Sequence, residues 1–307
     1  MIPVEKLKRV RTIITHANCP DGIASAILLH DALPNAQIKF VTHGTKEYRE
    51  LPAEDGMLFC DIAPPAERAH EFLPRVPVVL DHHKGAEHLV KSFTHHVFAD
   101  EKLEHGVSGA VLAFREVWVQ LRFRDGRDAR KFARLAGVRD TWQTADPDFQ
   151  RSNEQAAALT FWPVEKWLSL DGCFDGDNDE FEQMLALGSV LFAKRLEAAK
   201  KAASQAWCWV TANDTRCLIF EGTTLTSDVA EMVHDVDLVM GFGFIVEDGK
   251  FLLNVSMRSH TSFDCMAFAK RFGGGGHTRA AGFTLLFTAD AKNPYALLVE
   301  LVGGWKP

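Results

Sequence analysis

Val78-Val79-Leu80-Asp81-His82-His83 sets an apolar run directly against a carboxylate and two imidazoles. Branched apolar residues in succession read as a strand buried on both faces of a parallel sheet. The polar triplet then emerges at the strand's carboxyl end, where open α/β sheets bind ligands. The same grammar recurs in Met57-Leu58-Phe59-Cys60-Asp61. It recurs again in Thr12-Ile13-Ile14-Thr15-His16, followed by Ala17-Asn18-Cys19-Pro20-Asp21-Gly22. Three strands are thus predicted to deliver Asp and His to one edge. In a chain with 13 His, a single Asp-His-His would pass for a solvated turn. Carboxylates and imidazoles at several strand ends instead suit borderline divalent metals such as manganese, and two such ions suit phosphoryl hydrolysis.

Outward from these strands, Pro20 opens a helix through Leu29, with Pro34 beyond its end. Residues 38–42 and 94–99 read as further strands, and Pro64-Pro65 as the start of a helix toward Leu73. Gly106-Val107-Ser108-Gly109-Ala110 leads into an apolar-periodic helix. Its small residues suit either close approach to a bound group or an ordinary tight helix start. Lys131 to Val138 forms a helix that stops at Arg139-Asp140-Thr141-Trp142. This alternation predicts a doubly wound, mostly parallel α/β domain over 1–190. The pattern from 143 to 206 is helical, with breaks at 161–163 and 172–176. One long helix is expected over 180–207, its segment 191–206 acting as a linker. Strands and helices alternate again over 207–307, a second, smaller α/β domain. Trp207 and Trp209 suit core packing there, with stacking on nucleobases as the alternative.

Of 307 residues, 47% are hydrophobic and 24% charged, the balance of a globular protein with room for two domains. No apolar run approaches the ~18 residues of a membrane span, and the first residues lack a secretory pattern, so a cytoplasmic location with no membrane partner is expected. The six Cys show no metal-finger or disulfide spacing. A net charge of −7 argues against a grip on long duplex nucleic acid, which rests on neutralising many phosphates.

Together with Gly273-Gly274-Gly275-Gly276-His277, the three strand-end motifs resemble the DHH phosphoesterases that carry a C-terminal DHHA1 domain. The resemblance covers roughly 12–145 and 207–287. That family includes RecJ-like exonucleases, nanoRNases acting on very short oligonucleotides, and cyclic-dinucleotide phosphodiesterases. The resemblance implies two divalent ions, with Mn2+ the leading choice, sharing a bridging carboxylate at Asp61. It implies His16 on the first ion, Asp21 and Asp140 on the second, and His82 as a further ligand whose other nitrogen Asp81 holds. His83 would face the substrate as phosphate binder or leaving-group acid. Asp21 equally fits a helix-capping role.

Many relatives carry an aspartate where this chain has Cys19, although His16-Ala17-Asn18-Cys19-Pro20-Asp21-Gly22 resembles a recurrent subgroup. As a ligand, Cys19 would favour iron, cobalt or zinc. Otherwise it is a buried thiol. The implied substrate contacts are Ser108 beside the metals and, in the second domain, Arg258, Ser259, Gly274, Gly275, Gly276, His277 and Arg279. Arg258 also reads as a plain surface charge. The implied activity is hydrolysis of short single-stranded oligonucleotides to mononucleotides. A nucleotide bisphosphate phosphatase and a catalytically weak nucleotide sensor are the alternatives, and a homodimer is compatible with all three.

Overall fold

The computed structural model describes residues 2–305 apart from Asn18, Val76, 100–105, 123–125, 171–172, 175–178, Ala212, Asp248 and 289–292. Most of the expected break at 172–176, and Asn18 of the first motif, lie outside the described residues. The chain divides into two compact units, Met1–Phe192 and Ala193–Pro307.

In the first unit, β1 (Thr12–His16), β2 (Gln37–Val41), β3 (Met57–Cys60), β4 (Val78–Asp81) and β5 (His95–Phe98) form a parallel sheet of order β2-β1-β3-β4-β5. Every residue of β3 and β4 is buried. Ile13, Leu58, Cys60, Val78 and Leu80 point into one core, shared with the helices Pro20–Ala32 and Arg127–Asp140. Ile14, Phe59 and Val79 point into the other, against Tyr48, Phe72 and Phe93. Burial on both faces explains the unbroken apolar runs. In this order the chain reverses direction of travel between β1 and β3, which opens a crevice at their carboxyl ends.

Two helix expectations need correction. The stretch 180–207 is not one helix: Asp179–Ala186 ends before Gly188–Gln205 begins. A Cβ on Gly188 would fall 2.1 Å from the Glu154 carbonyl oxygen, so backbone packs on backbone at that point. The segment after Pro64-Pro65 is a series of single turns, Ala66–Arg68, Ala69–Phe72 and Leu73–Arg75.

The second unit is a six-stranded mixed sheet of order β10-β11-β9-β8-β7-β6. Its strands are β6 (Trp207–Val210), β7 (Arg216–Glu221), β8 (Leu238–Glu247), β9 (Lys250–Ser259), β10 (Gly275–His277) and β11 (Ala280–Leu286). Cys217, Ile219, Met240, Phe242 and Val255 share a core with Phe268 and Leu298 on one face. Leu218, Phe220 and Val239 pack with Val229 and Ala199 on the other. Trp207 and Trp209 are not core residues: they stand 54% and 51% exposed on the edge strand β6. None of the described helices is long and apolar enough to cross a membrane.

Candidate metal centre

The first unit brings His16, Cys19, Asp21, Asp61, His82, His83 and Asp140 to the carboxyl edge of β1, β3 and β4. Their donor atoms form three overlapping groups: His16, Cys19 and Asp61; Asp61, His82 and His83; Asp21, His82 and Asp140. Asp61 and His82 each belong to two of them. His82 Nε2 lies 3.2 Å from Asp61 Oδ1 and 3.3 Å from Asp140 Oδ2, and His16 Nδ1 lies 3.9 Å from Asp61 Oδ2.

Local backbone choices create this convergence. Asp61 follows β3 with φ +62°, a left-handed conformation that Asp tolerates better than most residues, and its amide still bonds the Leu80 carbonyl at 3.0 Å. Gly22 lets the helix Pro20–Ala32 start against the end of β1, where a Cβ would stand 2.1 Å from the His16 carbonyl oxygen. Asp21 does not cap its own helix. Its Oδ1 accepts from Ser108 Oγ at 2.5 Å and from Ala110 N at 3.2 Å, across at the start of the helix Gly109–Ala113. Ser108 is fully buried and anchors Asp21. Gly109 is obligatory at this contact, because a Cβ there would lie 2.4 Å from Asp61 Cβ and 2.8 Å from Asp21 Oδ2. Nothing in the local sequence pattern separates this need for Gly109 from an ordinary helix start.

Asp81 corrects another expectation. Its Oδ1 accepts from His83 Nδ1 at 2.7 Å and from the amides of His82 and His83 at 2.8 and 3.1 Å. The carboxylate closes the turn after β4 and orients His83, not His82.

The electrostatics follow from burial. Asp21, Asp61, Asp81 and His82 are each about 1% exposed. Burial, and then Asp61 beside it, push the Asp21 carboxyl well above the usual range. Burial, and then His83, lower His16 to about 4. For His83 burial pulls the other way, but the Asp81 carboxylate prevails and raises it to about 9. Burial and the Asp61 charge hold the Cys19 thiol far above its ordinary value. Asp21 Oδ2 and Asp61 Oδ2 are buried and meet no hydrogen-bond donor. Packing carboxylate oxygens together in this way is costly unless a cation joins them. The donor set, carboxylate and imidazole with one thiol, fits divalent ions.

In the second unit, the glycine run is tied into the backbone of its neighbours. The Gly273 and Gly274 amides bond the Lys270 and Ala269 carbonyls at 3.1 and 3.0 Å, and Gly275, Gly276 and His277 are β10, paired to β11. Cβ atoms on Gly274 and Gly276 would stand 2.2 Å from the Gly282 and 2.4 Å from the Ala280 carbonyl oxygens, so close strand approach requires these glycines. Ser259 is buried and ties a turn, its Oγ bonding Thr261 O and N at 3.2 Å. Arg279 is exposed. Arg258 is not a plain surface charge: it donates to Met257 O at 2.7 Å, Ser227 Oγ at 3.1 Å and Ser256 Oγ at 3.3 Å, all neutral acceptors. Burial lowers its pKa.

The five-stranded parallel sheet, its crevice and the following second sheet are the fold of the DHH-domain proteins. A DHH-domain protein described as a member of a family of ribosomal proteins matches with TM-score 0.62 and 13% identity, over 98% of this chain and 88% of that one. RecJ from Thermus thermophilus, solved in complex with Mn2+, matches with TM-score 0.57 and 17% identity over 99% of this chain, which spans 54% of RecJ. PggH, a pGpG-specific phosphodiesterase from Vibrio cholerae, matches with TM-score 0.48 and 11% identity over 95% of this chain and 99% of that one. No protein-family model matches the sequence, and no curated protein is significantly similar to it.

Proposed function

We propose that this chain is a divalent-metal-dependent phosphoesterase that hydrolyses short single-stranded oligonucleotides, such as nanoRNA or linear dinucleotides, to mononucleotides. The observation that carries the reading is the buried pair Asp21 and Asp61, one in the first turn of the helix after β1 and one directly after β3, each with a carboxylate oxygen that meets no donor. His16, Cys19 and Asp61 would hold one ion and Asp21, His82 and Asp140 the other, with Asp61 between them. Divalent ions bound there supply activation of water and neutralisation of phosphoryl oxygens. The protein's own part is positional. Asp81 fixes His83 through Nδ1, so the ring's Nε2 is the atom that holds or releases a proton toward a phosphate oxygen. Against the pull of burial, the Asp81 carboxylate raises the His83 pKa to about 9, which favours the protonated ring. The resemblance of the strand-end motifs and the glycine run to the DHH phosphoesterases supports a nucleotide or nucleic-acid substrate, and the net charge of −7 favours a short one.

The test is hydrolysis of a 5′-labelled dinucleotide with manganese, cobalt or iron added separately. Mononucleotide release with at least one of them supports the reading, and binding without turnover under all three would make the chain a sensor instead. Because the Cys19 sulfur stands in a donor group with His16 and Asp61, it makes the first position softer than an all-oxygen and imidazole set. Cys19→Asp is therefore expected to shift the ratio of manganese- to cobalt- or iron-supported rates by about ten-fold toward manganese. An unchanged ratio would make Cys19 a packing residue.

The second unit is proposed as a DHHA1-type substrate-binding module, with Arg258, His277 and Arg279 as its contacts. Arg258 carries the argument, since a half-buried guanidinium satisfied by hydroxyls and a carbonyl keeps its charge available for an anion. Arg258→Ala is expected to raise KM about ten-fold with kcat little changed. Steady-state kinetics on the dinucleotide decide this, and an unaltered KM would remove Arg258 from the binding surface. The cytoplasm is the proposed location, in keeping with cysteines that all stand as free thiols, most of them buried.

A further inference from the structure

The edge strand β6 carries Trp207-Cys208-Trp209-Val210, all four exposed, at the end of the second unit's sheet. Uncovered edge strands ordinarily carry charge, proline or a bulge that discourages pairing. This one has none of them. We propose that β6 is a self-association edge, on which a second copy of the chain adds its own β6 antiparallel and makes one continuous sheet across a two-fold axis. This inference rests on the second unit alone and is independent of the hydrolase reading.

Symmetry sets the register. A two-fold axis perpendicular to a sheet keeps each residue on its own face, and residues directly opposite in an antiparallel pair share a face. Partners across the axis must therefore both be odd-numbered or both even-numbered. The register that uses both indoles places Cys208 on the axis opposite its copy and Trp207 opposite Trp209 of the partner. Trp207 and Trp209 lie opposite Ile219 and Cys217 of β7, both buried on the same face, so the aromatic side is defined. Trp207 is already stacked on Tyr295 at 4.9 Å, which holds the indole ready at the edge.

The area sets the strength. The uncovered halves of two indoles and of Val210, with the open backbone, amount to roughly 400–500 Å2 per copy, or on the order of 1,000 Å2 in total, at the low end of specific interfaces. The dimer is accordingly expected to be reversible, with a dissociation constant in the micromolar range.

Sedimentation of the full chain from about 1 to about 100 μM should show the mass rising from monomer to dimer. Trp209→Lys and Val210→Lys should each weaken association at least about ten-fold with unchanged melting temperature, since both side chains are half exposed. A short bismaleimide should link two wild-type chains through Cys208, the one exposed cysteine among the described residues, and should not link Cys208→Ser. Val246→Lys, at the far end of β8 and 66% exposed, is the control and should dimerise normally. A wild-type monomer at the highest concentration would overturn the proposal. So would a dimer indifferent to both lysines, or one abolished by Val246→Lys alone. If Trp209→Lys fails to fold, Val210→Lys and the wild-type cross-link still decide.

Discussion

Asp61→Asn is expected to lower kcat on the dinucleotide by about 10³-fold or more while leaving the fold intact. Asp61 stands in the donor group with His16 and Cys19 and again in the one with His82 and His83, so if it lies between the two proposed ions, neutralising it should weaken both. The expected stability effect has the opposite sign. This carboxylate is about 1% exposed, with Oδ2 meeting no donor. An amide of the same shape removes a desolvated charge, so the melting temperature of the metal-free variant should equal or exceed that of the metal-free wild type. Asn also tolerates the φ of +62° at this position. Asp61→Ala should lose activity equally but melt lower, because a left-handed alanine costs about 1 kcal/mol. Initial rates, calorimetric titration with manganese and thermal melts separate these effects. Retained turnover in Asp61→Asn would refute the assignment, and a collapsed melt would mean that the carboxylate is structural.

Gly109→Ala is the second large effect, and it strikes residues it does not replace. The added methyl would lie 2.4 Å from Asp61 Cβ and 2.8 Å from Asp21 Oδ2, far inside van der Waals contact. Relief requires the helix start to retreat, which pulls Ser108 Oγ and Ala110 N away from Asp21. Overpacking of this kind costs about 1–3 kcal/mol, and displaced supports of metal ligands typically cost about 10–100-fold in affinity or activity. The expected outcome is a folded protein whose manganese affinity falls by about 10–100-fold. Wild-type affinity would mean that the helix start gives way without moving either carboxylate. Gly85, where a Cβ meets nothing within 4 Å, is the matched control for a glycine-to-alanine change.

Much of the architecture is legible in the sequence. The branched runs Ile13-Ile14, Leu58-Phe59 and Val78-Val79-Leu80 are apolar without alternation because both faces of the sheet are covered. Such runs announce a doubly wound sheet, and polar residues directly after them announce its carboxyl edge. The joints between elements are less legible. Gly188 breaks a helical pattern where another helix lies across it, and Gly275 and Gly276 of β10 offer no side-chain alternation from which a strand could be read. Trp207 and Trp209 have the composition of a core strand, yet β6 falls at the end of the sheet, and sheet order is not written in local periodicity.

The sequence by itself determined which chemical groups stand at strand ends, because period and punctuation are local properties of the chain. Tertiary structure alone decided how they are shared. The Asp81 carboxylate bonds the His83 ring and not that of His82, Ser108 bonds Asp21, and Gly109 is required by two carboxylates far from it along the chain. These are close contacts between side chains and backbone whose partners are set by the fold of each turn and by the order in which strands lie side by side.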